Sequence, residues 1–198
     1  MSEDFSSYRF IFLLEEKSMQ SVLEIILPKL LPENSFKCIP HEGKQDLRKS
    51  IPIKLRAFKK LDRQPRFVIV HDQDSSDCQI LKAELLKICS EVAYDNVIIR
   101  IICRELESWF LGDLAAIERG FSLKLGSLSK KQNKTTFRDP DRLNSAKQEL
   151  LKLVPNYQAI SGARKIAPCM RLDQNKSYSF NVFLATIQDL SSNTHEHK

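Results

Sequence analysis

Apolar runs and polar breaks alternate along the first half of the chain. The apolar runs predict strands at residues 8–14, 36–39, 67–71 and 97–103. Between them, apolar residues recur with the three- and four-residue spacing of amphipathic helices. Near-continuous apolar strands are typical of sheets buried on both faces, and alternation of strands with helices favours parallel pairing. The pattern predicts a three-layer α/β domain over residues 1–113.

Polar residues and proline set the predicted boundaries of the helices. Ser18 is the expected N-cap of the first helix, and Ser75 or Ser76 is the expected N-cap of the third. Pro52 places the start of the regular part of the second helix near Ser50, because proline is best tolerated in the first turn.

Beyond Asp113 the strand signal ends and helical spacing takes over. The predicted helices cover residues 114–120, 142–153, 162–170 and 178–190. We expect residues 114–198 to form a helical extension packed on the sheet, with Trp109 as an anchor in the core. Within it, a polar linker is predicted near residues 124–139 and a disordered tail at residues 191–198.

Composition narrows the class of protein. A chain of 198 residues suffices for one α/β core with a small added subdomain. The net charge of +6 favours nucleic acid as a partner, although a similar surplus is common in ordinary soluble proteins. Five cysteines without a C-x-x-C pair predict buried thiols in a reducing compartment. With no cationic leader and no apolar stretch of ~18 residues, we expect a soluble cytoplasmic protein without a membrane span.

Acidic residues follow two predicted strands at the edge where α/β sheets bind ligands. Glu15 and Glu16 follow the first strand, and Asp72 and Asp74 follow the third. Parallel order brings these tips together, and clustered carboxylates need a cation, for which Mg²⁺ or Mn²⁺ is the natural choice. Alternatively, the two aspartates only cap the next helix. Either glutamate can face the metal, because a one-residue slip swaps the faces of a strand.

The segment after the fourth strand reaches the same edge. Glu105 is a candidate further ligand, and Glu107 takes its place if the turn is tight. Arg104 either contacts nucleic acid or pairs with one of these glutamates in a structural salt bridge. His71 is a candidate for proton transfer, although a histidine that closes a buried strand is more often a core residue.

Two short segments combine small residues with cations. In the turn before Lys44, Gly43 lets the backbone approach a phosphate closely and the lysine supplies a point charge. Residues 161–165 open a predicted helix with Arg164 and Lys165, which suits anion binding at a helix start. The alternative for the second segment is an ordinary capped helix with a solvated basic face.

Taken together, these motifs resemble the Toprim fold of topoisomerases, primases and OLD-type nucleases, and within that group a family of uncharacterised bacterial Toprim-like proteins. The segments that carry the resemblance are residues 14–18, 40–47, 71–78, 103–113 and 161–164. The resemblance implies a Rossmann-like, mostly parallel sheet, with Glu15 as the acid/base or metal-binding glutamate and Asp72 and Asp74 as Mg²⁺ ligands. One departure is Glu16, which stands where Toprim proteins usually carry glycine.

The motifs and the resemblance predict a Mg²⁺-dependent nuclease. The predicted catalytic residues are Glu15, Asp72, Asp74 and Lys44. The predicted metal ligands are Glu15, Asp72, Asp74 and Glu105. The predicted contacts with nucleic acid are Lys44, Arg104, Arg164 and Lys165.

The resemblance also implies an AAA or SMC-type ATPase as genetic neighbour and partner, in some cases in phage defence. Two other functions stay open. One is a non-catalytic Toprim-like scaffold that binds nucleic acid or an ATPase partner, which Glu16 at the usual glycine position favours. The other is a nucleotide-binding regulator that uses residues 41–44 and 161–165.

Overall fold

A four-stranded parallel sheet forms the centre of the structure, a computed structural model that describes residues 5–192. Its strands are β1 (Phe10–Leu14), β2 (Phe36–Pro40), β3 (Arg66–Asp72) and β4 (Val97–Ile102). The strand order is β2-β1-β3-β4, so β1 and β3 lie side by side in the middle. The register pairs Leu14 with Val70, which brings the carboxyl ends of the two central strands together.

The helices that connect the strands are α1 (Lys17–Ile26), α2 (Lys44–Phe58) and α3 (Cys78–Ser90). The predicted starts of α1 and α2 are wrong. The N-cap of α1 is Glu16, and Ser18 lies inside the helix with its hydroxyl bonded to the Glu16 carboxylate. α2 begins well before Ser50 and contains Pro52, because the turn at Gly43 sets the direction of the helix before the proline is reached.

The start of α3 also differs from the prediction. Its N-cap is Asp77, whose Oδ1 accepts hydrogen bonds from the amides of Gln79 and Ile80. Ser75 and Ser76 lie in the preceding turn, which is tied to the tip of β4 and therefore delays the helix.

Beyond β4, the described part of the chain contains helices and loops only. The helices are α4 (Glu107–Leu111), α5 (Leu114–Gly120), α6 (Ala146–Leu153), α7 (Ala159–Ile166) and α8 (Tyr178–Ser192). α4 was not predicted. The segment predicted as a polar linker near residues 124–139 is irregular, and Glu118 holds it by accepting three backbone hydrogen bonds. Of the predicted disordered tail, residues 191 and 192 end α8 and residues 193–198 lie outside the described residues.

Each face of the sheet is covered by helices. α2 and α3 cover one face, and α1 packs with the extension on the other. Trp109 anchors the extension: it is 1% exposed, and its ring lies 5.1 Å from that of Phe180 and 5.2 Å from that of Phe183. Its Nε1–H donates to Ser179 Oγ at 3.2 Å. The structure thus confirms the predicted three-layer α/β fold with a helical C-terminal part.

The cysteines agree with the expectation in part. All five are free thiols, and Cys38 and Cys89 are buried, whereas Cys78 is exposed at the first turn of α3. Between residues 5 and 192, no helix has both the length and the apolar character needed to cross a bilayer.

Candidate active site at the carboxyl edge of the sheet

Glu15 follows β1 and is fixed against the tip of β3. Its Oε2 accepts a hydrogen bond from the backbone N–H of Asp72 at 3.1 Å and lies 3.0 Å from Nδ1 of His71. The same ring nitrogen lies 2.6 Å from the carbonyl oxygen of Asp72, so one N–H is shared between two acceptors. Glu16 is held instead by Ser18 at the start of α1. Of the two adjacent glutamates, Glu15 is the one bound to the tip of β3.

Asp72 is the most unusual carboxylate of the site. It is 9% exposed, and its Oδ1 is buried without a hydrogen-bond partner among the described residues. Burial raises the pKa of Asp72 well above its ordinary value, and repulsion from Glu15, Glu107, Glu16 and Asp74 raises it further. A desolvated carboxyl group among like charges is stabilised by a proton or a cation.

Glu107 reaches the site from the first residue of α4. It is buried, and its Oε1 accepts a hydrogen bond from the hydroxyl of Tyr157 at 2.9 Å. Burial raises the pKa of Glu107, and the hydrogen bond from Tyr157 opposes that rise. Burial and the charge of Glu107 also raise the pKa of the Tyr157 hydroxyl. Glu107 and Tyr157 therefore form a buried pair beside Asp72.

Tyr157 was missed by sequence reasoning, although Gly162 offered a signal. A Cβ added at Gly162 would lie 2.3 Å from Cε2 of Tyr157, so only glycine leaves room for the ring. A glycine inside a helical pattern often marks such close packing. The glycine marks the ring of Tyr157, which precedes it by five residues, but not the contact of the tyrosine hydroxyl with Glu107, which depends on the fold of the extension.

Glu105 has a hydrogen-bond partner outside this group of carboxylates. Its Oε2 accepts a hydrogen bond from the backbone N–H of Lys147 at 2.8 Å, at the start of α6. Glu107, and not Glu105, is among the groups that raise the pKa of Asp72. Of the two glutamates proposed for this segment, Glu107 is therefore the one whose charge acts on Asp72, whereas the charge of Glu105 acts on Glu107.

Lys44, the first residue of α2, contacts the acidic cluster, formed by Glu15, Asp72, Asp74 and Glu107, through Asp74. Its Nζ lies 2.9 Å from Oδ2 of Asp74, and this hydrogen bond raises the pKa of the lysine. Gly43 precedes it with φ of 97°, a left-handed value that favours glycine, and donates its N–H to the carbonyl oxygen of Glu15 at 2.9 Å. The turn predicted to approach phosphate thus places its lysine at the candidate site.

The tips of β3 and β4 carry two residues in the left-handed region. Asp74 has φ of 52° and Arg104 has φ of 62°. The N–H of Asp74 donates to the carbonyl oxygen of Arg104 at 2.8 Å, which holds the two loops together. Such backbone conformations cost about 1–3 kcal/mol at non-glycine residues and cluster at functional sites.

Arg164 and Lys165 lie elsewhere. Both are exposed in the last turn of α7, which begins at Ala159, and Nζ of Lys165 lies 5.1 Å from the ring centroid of Phe121. The prediction that these cations open a helix is therefore wrong, because the helix extends back past Gly162. Their contact with nucleic acid stays a prediction.

The model of a domain of unknown function (DUF4276) matches residues 14–188. The chain belongs to the DUF4276 family. This agrees with the uncharacterised family that the sequence resembles, and the matched range includes every carboxylate of the site.

Solved structures share the fold of this DUF4276 chain. The C-terminal region of the Burkholderia pseudomallei OLD protein is similar with a TM-score of 0.55 and 15% identity, over 93% of this chain and 98% of that one. The C-terminal region of the Xanthomonas campestris pv. campestris OLD protein gives a TM-score of 0.53 and 16% identity, over 96% and 98%. No curated protein sequence matches the chain. The likeness confirms the predicted OLD-like fold.

The donor set of this DUF4276 chain fits a divalent cation in its chemistry, but it is not assembled as a metal site. Among residues 5–192, no three His, Cys, Asp or Glu side chains form a group that could hold one ion. Glu15 contacts His71, and Asp74 contacts Lys44. The carboxylate oxygens and the unpartnered Oδ1 of Asp72 suit Mg²⁺ or Mn²⁺, which prefer oxygen ligands.

Proposed function

We propose that this chain is a nuclease that hydrolyses phosphodiester bonds with the help of Mg²⁺ or Mn²⁺. The observation that supports the proposal is the buried, unpartnered Oδ1 of Asp72 at the carboxyl edge of the sheet, among the charges of Glu15, Asp74 and Glu107. A cation relieves both the desolvation and the repulsion. The sequence resemblance to OLD-type nucleases and the basic character of the chain support the same function.

Each residue of the site has a separate role in this proposal. Glu15, Asp72 and Asp74 would hold the metal ion, with Glu105 as the predicted auxiliary ligand, and the bound ion would polarise the phosphoryl oxygen and lower the pKa of water. His71 orients Glu15 through the shared Nδ1–H, in the way that hydrogen bonds from outside the ligand shell position metal ligands. Tyr157 similarly positions Glu107.

A comparison of metal binding and cleavage tests the proposal. We expect the wild-type protein to bind Mn²⁺ in a calorimetric titration and to cleave at least one substrate in a panel of single- and double-stranded DNA and RNA. Glu15→Gln removes the charge next to Asp72 and is expected to reduce the cleavage rate about 10²–10³-fold and to weaken Mn²⁺ binding. Glu91→Gln, at an exposed position after α3, is the matched control. Wild-type cleavage and binding in Glu15→Gln would contradict the proposal.

Lys44→Ala is expected to separate metal affinity from cleavage. The lysine neutralises Asp74 and competes with a metal for its carboxylate, so its removal should strengthen Mn²⁺ binding. Cleavage should become slower. In the wild-type protein, a metal bound to Asp74 would free Lys44 to stabilise negative charge on the phosphate, and alanine cannot do so. The pair is solvent-exposed, so the free energy of unfolding should change by less than about 1 kcal/mol. Calorimetry, cleavage rates and urea denaturation measure the three effects, and weaker Mn²⁺ binding in the variant would count against this role.

The contacts of the carboxylates favour one second candidate function. Because Lys44 is paired with Asp74 and His71 contacts Glu15, two of the acidic groups are satisfied by the protein itself. A non-catalytic module that binds nucleic acid, or docks on an AAA or SMC-type ATPase partner, is compatible with this arrangement. Either of the two proposed functions is compatible with a role in phage defence. Folded wild-type protein that binds no Mn²⁺, cleaves nothing and still binds nucleic acid or the ATPase would favour the module.

A further inference from the structure

A cavity of about 250 Å³ adjoins the candidate active site. It is lined by Asp74, Ser75, Arg104, Glu105, Asn144 and Ser145. Asp74 belongs both to this cavity and to the acidic cluster, so the two are neighbours. Pockets that enclose a complete small-molecule ligand have volumes of about 300–1,000 Å³. The cavity therefore suits a single chemical group of a larger ligand.

The acidic side chains of the cavity already have partners. Glu105 accepts a hydrogen bond from the backbone N–H of Lys147 at 2.8 Å. Asp74 accepts one from Nζ of Lys44 at 2.9 Å. Each of these carboxylates thus has one donor of the protein beside it, which offsets part of its repulsion towards an anion.

The donors of the cavity are mostly uncommitted. Among the described residues, the guanidinium of Arg104 has a single hydrogen-bond partner, the carbonyl oxygen of Asp74 at 3.4 Å from Nη1. Ser145 Oγ accepts from the N–H of Gln148 at 3.4 Å, which leaves its own hydroxyl proton to donate. The side chains of Ser75 and Asn144 are exposed. A surplus of donors around one arginine fits an anion with several oxygen atoms, for which the planar guanidinium is well matched.

The position of Arg104 is set by its backbone. Its carbonyl oxygen accepts from the N–H of Asp74 at 2.8 Å, and its own N–H donates to Oε1 of Gln73 at 3.2 Å. These bonds hold the left-handed φ of 62°. A side chain that starts from a fixed backbone loses less freedom when a ligand binds.

We propose that this cavity binds a phosphate group of the nucleic-acid strand, beside the phosphodiester that meets the acidic cluster. The inference rests on the proposed nuclease function for the identity of the ligand. An internal phosphodiester and a terminal phosphate present the same oxygens to Arg104. Asn144 and Ser145, at the start of α6, are the other donors that would contact the phosphate.

Fluorescence anisotropy with single-stranded DNA tests the site, with EDTA present to prevent cleavage. The probe carries its dye at the 3′ end and either a phosphate or a hydroxyl at the 5′ end. Arg104→Asn keeps a residue that tolerates the left-handed region, and it is expected to weaken binding about 10- to 100-fold and to lower the slope of log affinity against log salt by about one. Arg63→Ala, exposed in the loop before β3, removes one positive charge at the opposite edge and should change neither value appreciably.

A second variant covers the possibility that Arg104→Asn does not fold. Asn144→Asp adds a negative charge to the cavity on another loop and should also weaken binding. If the variants lose affinity only for the 5′-phosphate probe, the cavity binds the terminal phosphate of a strand. If they lose affinity equally for both probes, the cavity binds an internal phosphate of the backbone. Affinity and salt slope in both variants equal to those of Arg63→Ala would overturn the inference.

The nuclease proposal and the phosphate site can fail separately. Cleavage that depends on Glu15, together with binding that is insensitive to Arg104 and Asn144, would remove the phosphate site and leave the nuclease. Binding that depends on both cavity residues, in a protein that neither binds Mn²⁺ nor cleaves any substrate, would remove the nuclease and leave the phosphate site.

Discussion

Asp72→Asn is expected to stabilise the fold at pH 8 and, at the same time, to abolish phosphodiester cleavage. The wild-type carboxyl group is buried with an unpartnered oxygen and faces four other acidic residues. Its ionised form therefore destabilises the folded protein, by about 1–3 kcal/mol for a buried unsatisfied group. The amide keeps the shape of the side chain and removes the charge. The same charge is the one that the proposed reaction needs, so stability and activity should change in opposite directions.

The stabilisation by Asp72→Asn should depend on pH with a definite sign. In the unfolded chain, aspartate has a pKa of about 3.9, and in the folded protein the pKa of Asp72 is raised. Below the unfolded value the group is protonated in both states and the substitution changes little. As pH rises through the folded pKa, the wild-type protein loses stability that the variant keeps. The advantage of Asp72→Asn should thus grow from pH 4 towards pH 8.

Urea denaturation at several pH values, with EDTA present, measures this difference. Asp95→Asn is the matched control, because Asp95 is exposed before β4 at the opposite edge of the sheet. The control should match the wild-type protein at each pH and retain its activity. An Asp72→Asn protein that is less stable than wild type at pH 8 would show that the carboxylate has a stabilising partner, and a fully active one would remove Asp72 from the reaction.

The fold and the carboxylates that follow β1 and β3 could be predicted from the sequence for a physical reason. Strands buried on both faces leave continuous apolar runs, and the parallel order of β1 and β3 brings whatever follows them to one edge. Glu15 and Asp72 were found in this way. The helix starts were harder, because Asp77 caps α3 only once the preceding turn is tied to β4.

The positions of Glu107 and Tyr157 depend on contacts between distant parts of the chain. α4 has only five residues, too few to show helical periodicity, yet it carries Glu107 to Asp72. Tyr157 lies 50 positions further along and reaches Glu107 only because the extension folds back onto the sheet. Local spacing holds no information about such a pairing. The extension is therefore part of the candidate site as well as of the core.

Trp109→Ala is expected to have the largest effect on stability, with a loss of about 3–5 kcal/mol, as is typical when a fully buried aromatic side chain is removed. The ring contacts Phe180 and Phe183 of α8, and its N–H is bonded to Ser179. One hydrophobic cluster contains side chains of β1 and β3 together with those of the extension. The variant should therefore unfold at lower urea concentration in a single transition, because the sheet and the extension share this core.

Far-UV circular dichroism follows this transition without relying on the fluorescence of Trp109, the single tryptophan of the chain. Trp109→Phe keeps ring contacts and loses only the hydrogen bond to Ser179, so it should cost less than the alanine variant. Tyr178→Ala removes an aromatic ring that is 72% exposed at the start of α8. It should cost about 0.5 kcal/mol or less, as is usual for surface substitutions. Two separate transitions in Trp109→Ala would mean that the extension folds on its own. In that case the position of Glu107 beside Asp72 would depend on docking of the extension, because Glu107 begins the helix that carries Trp109.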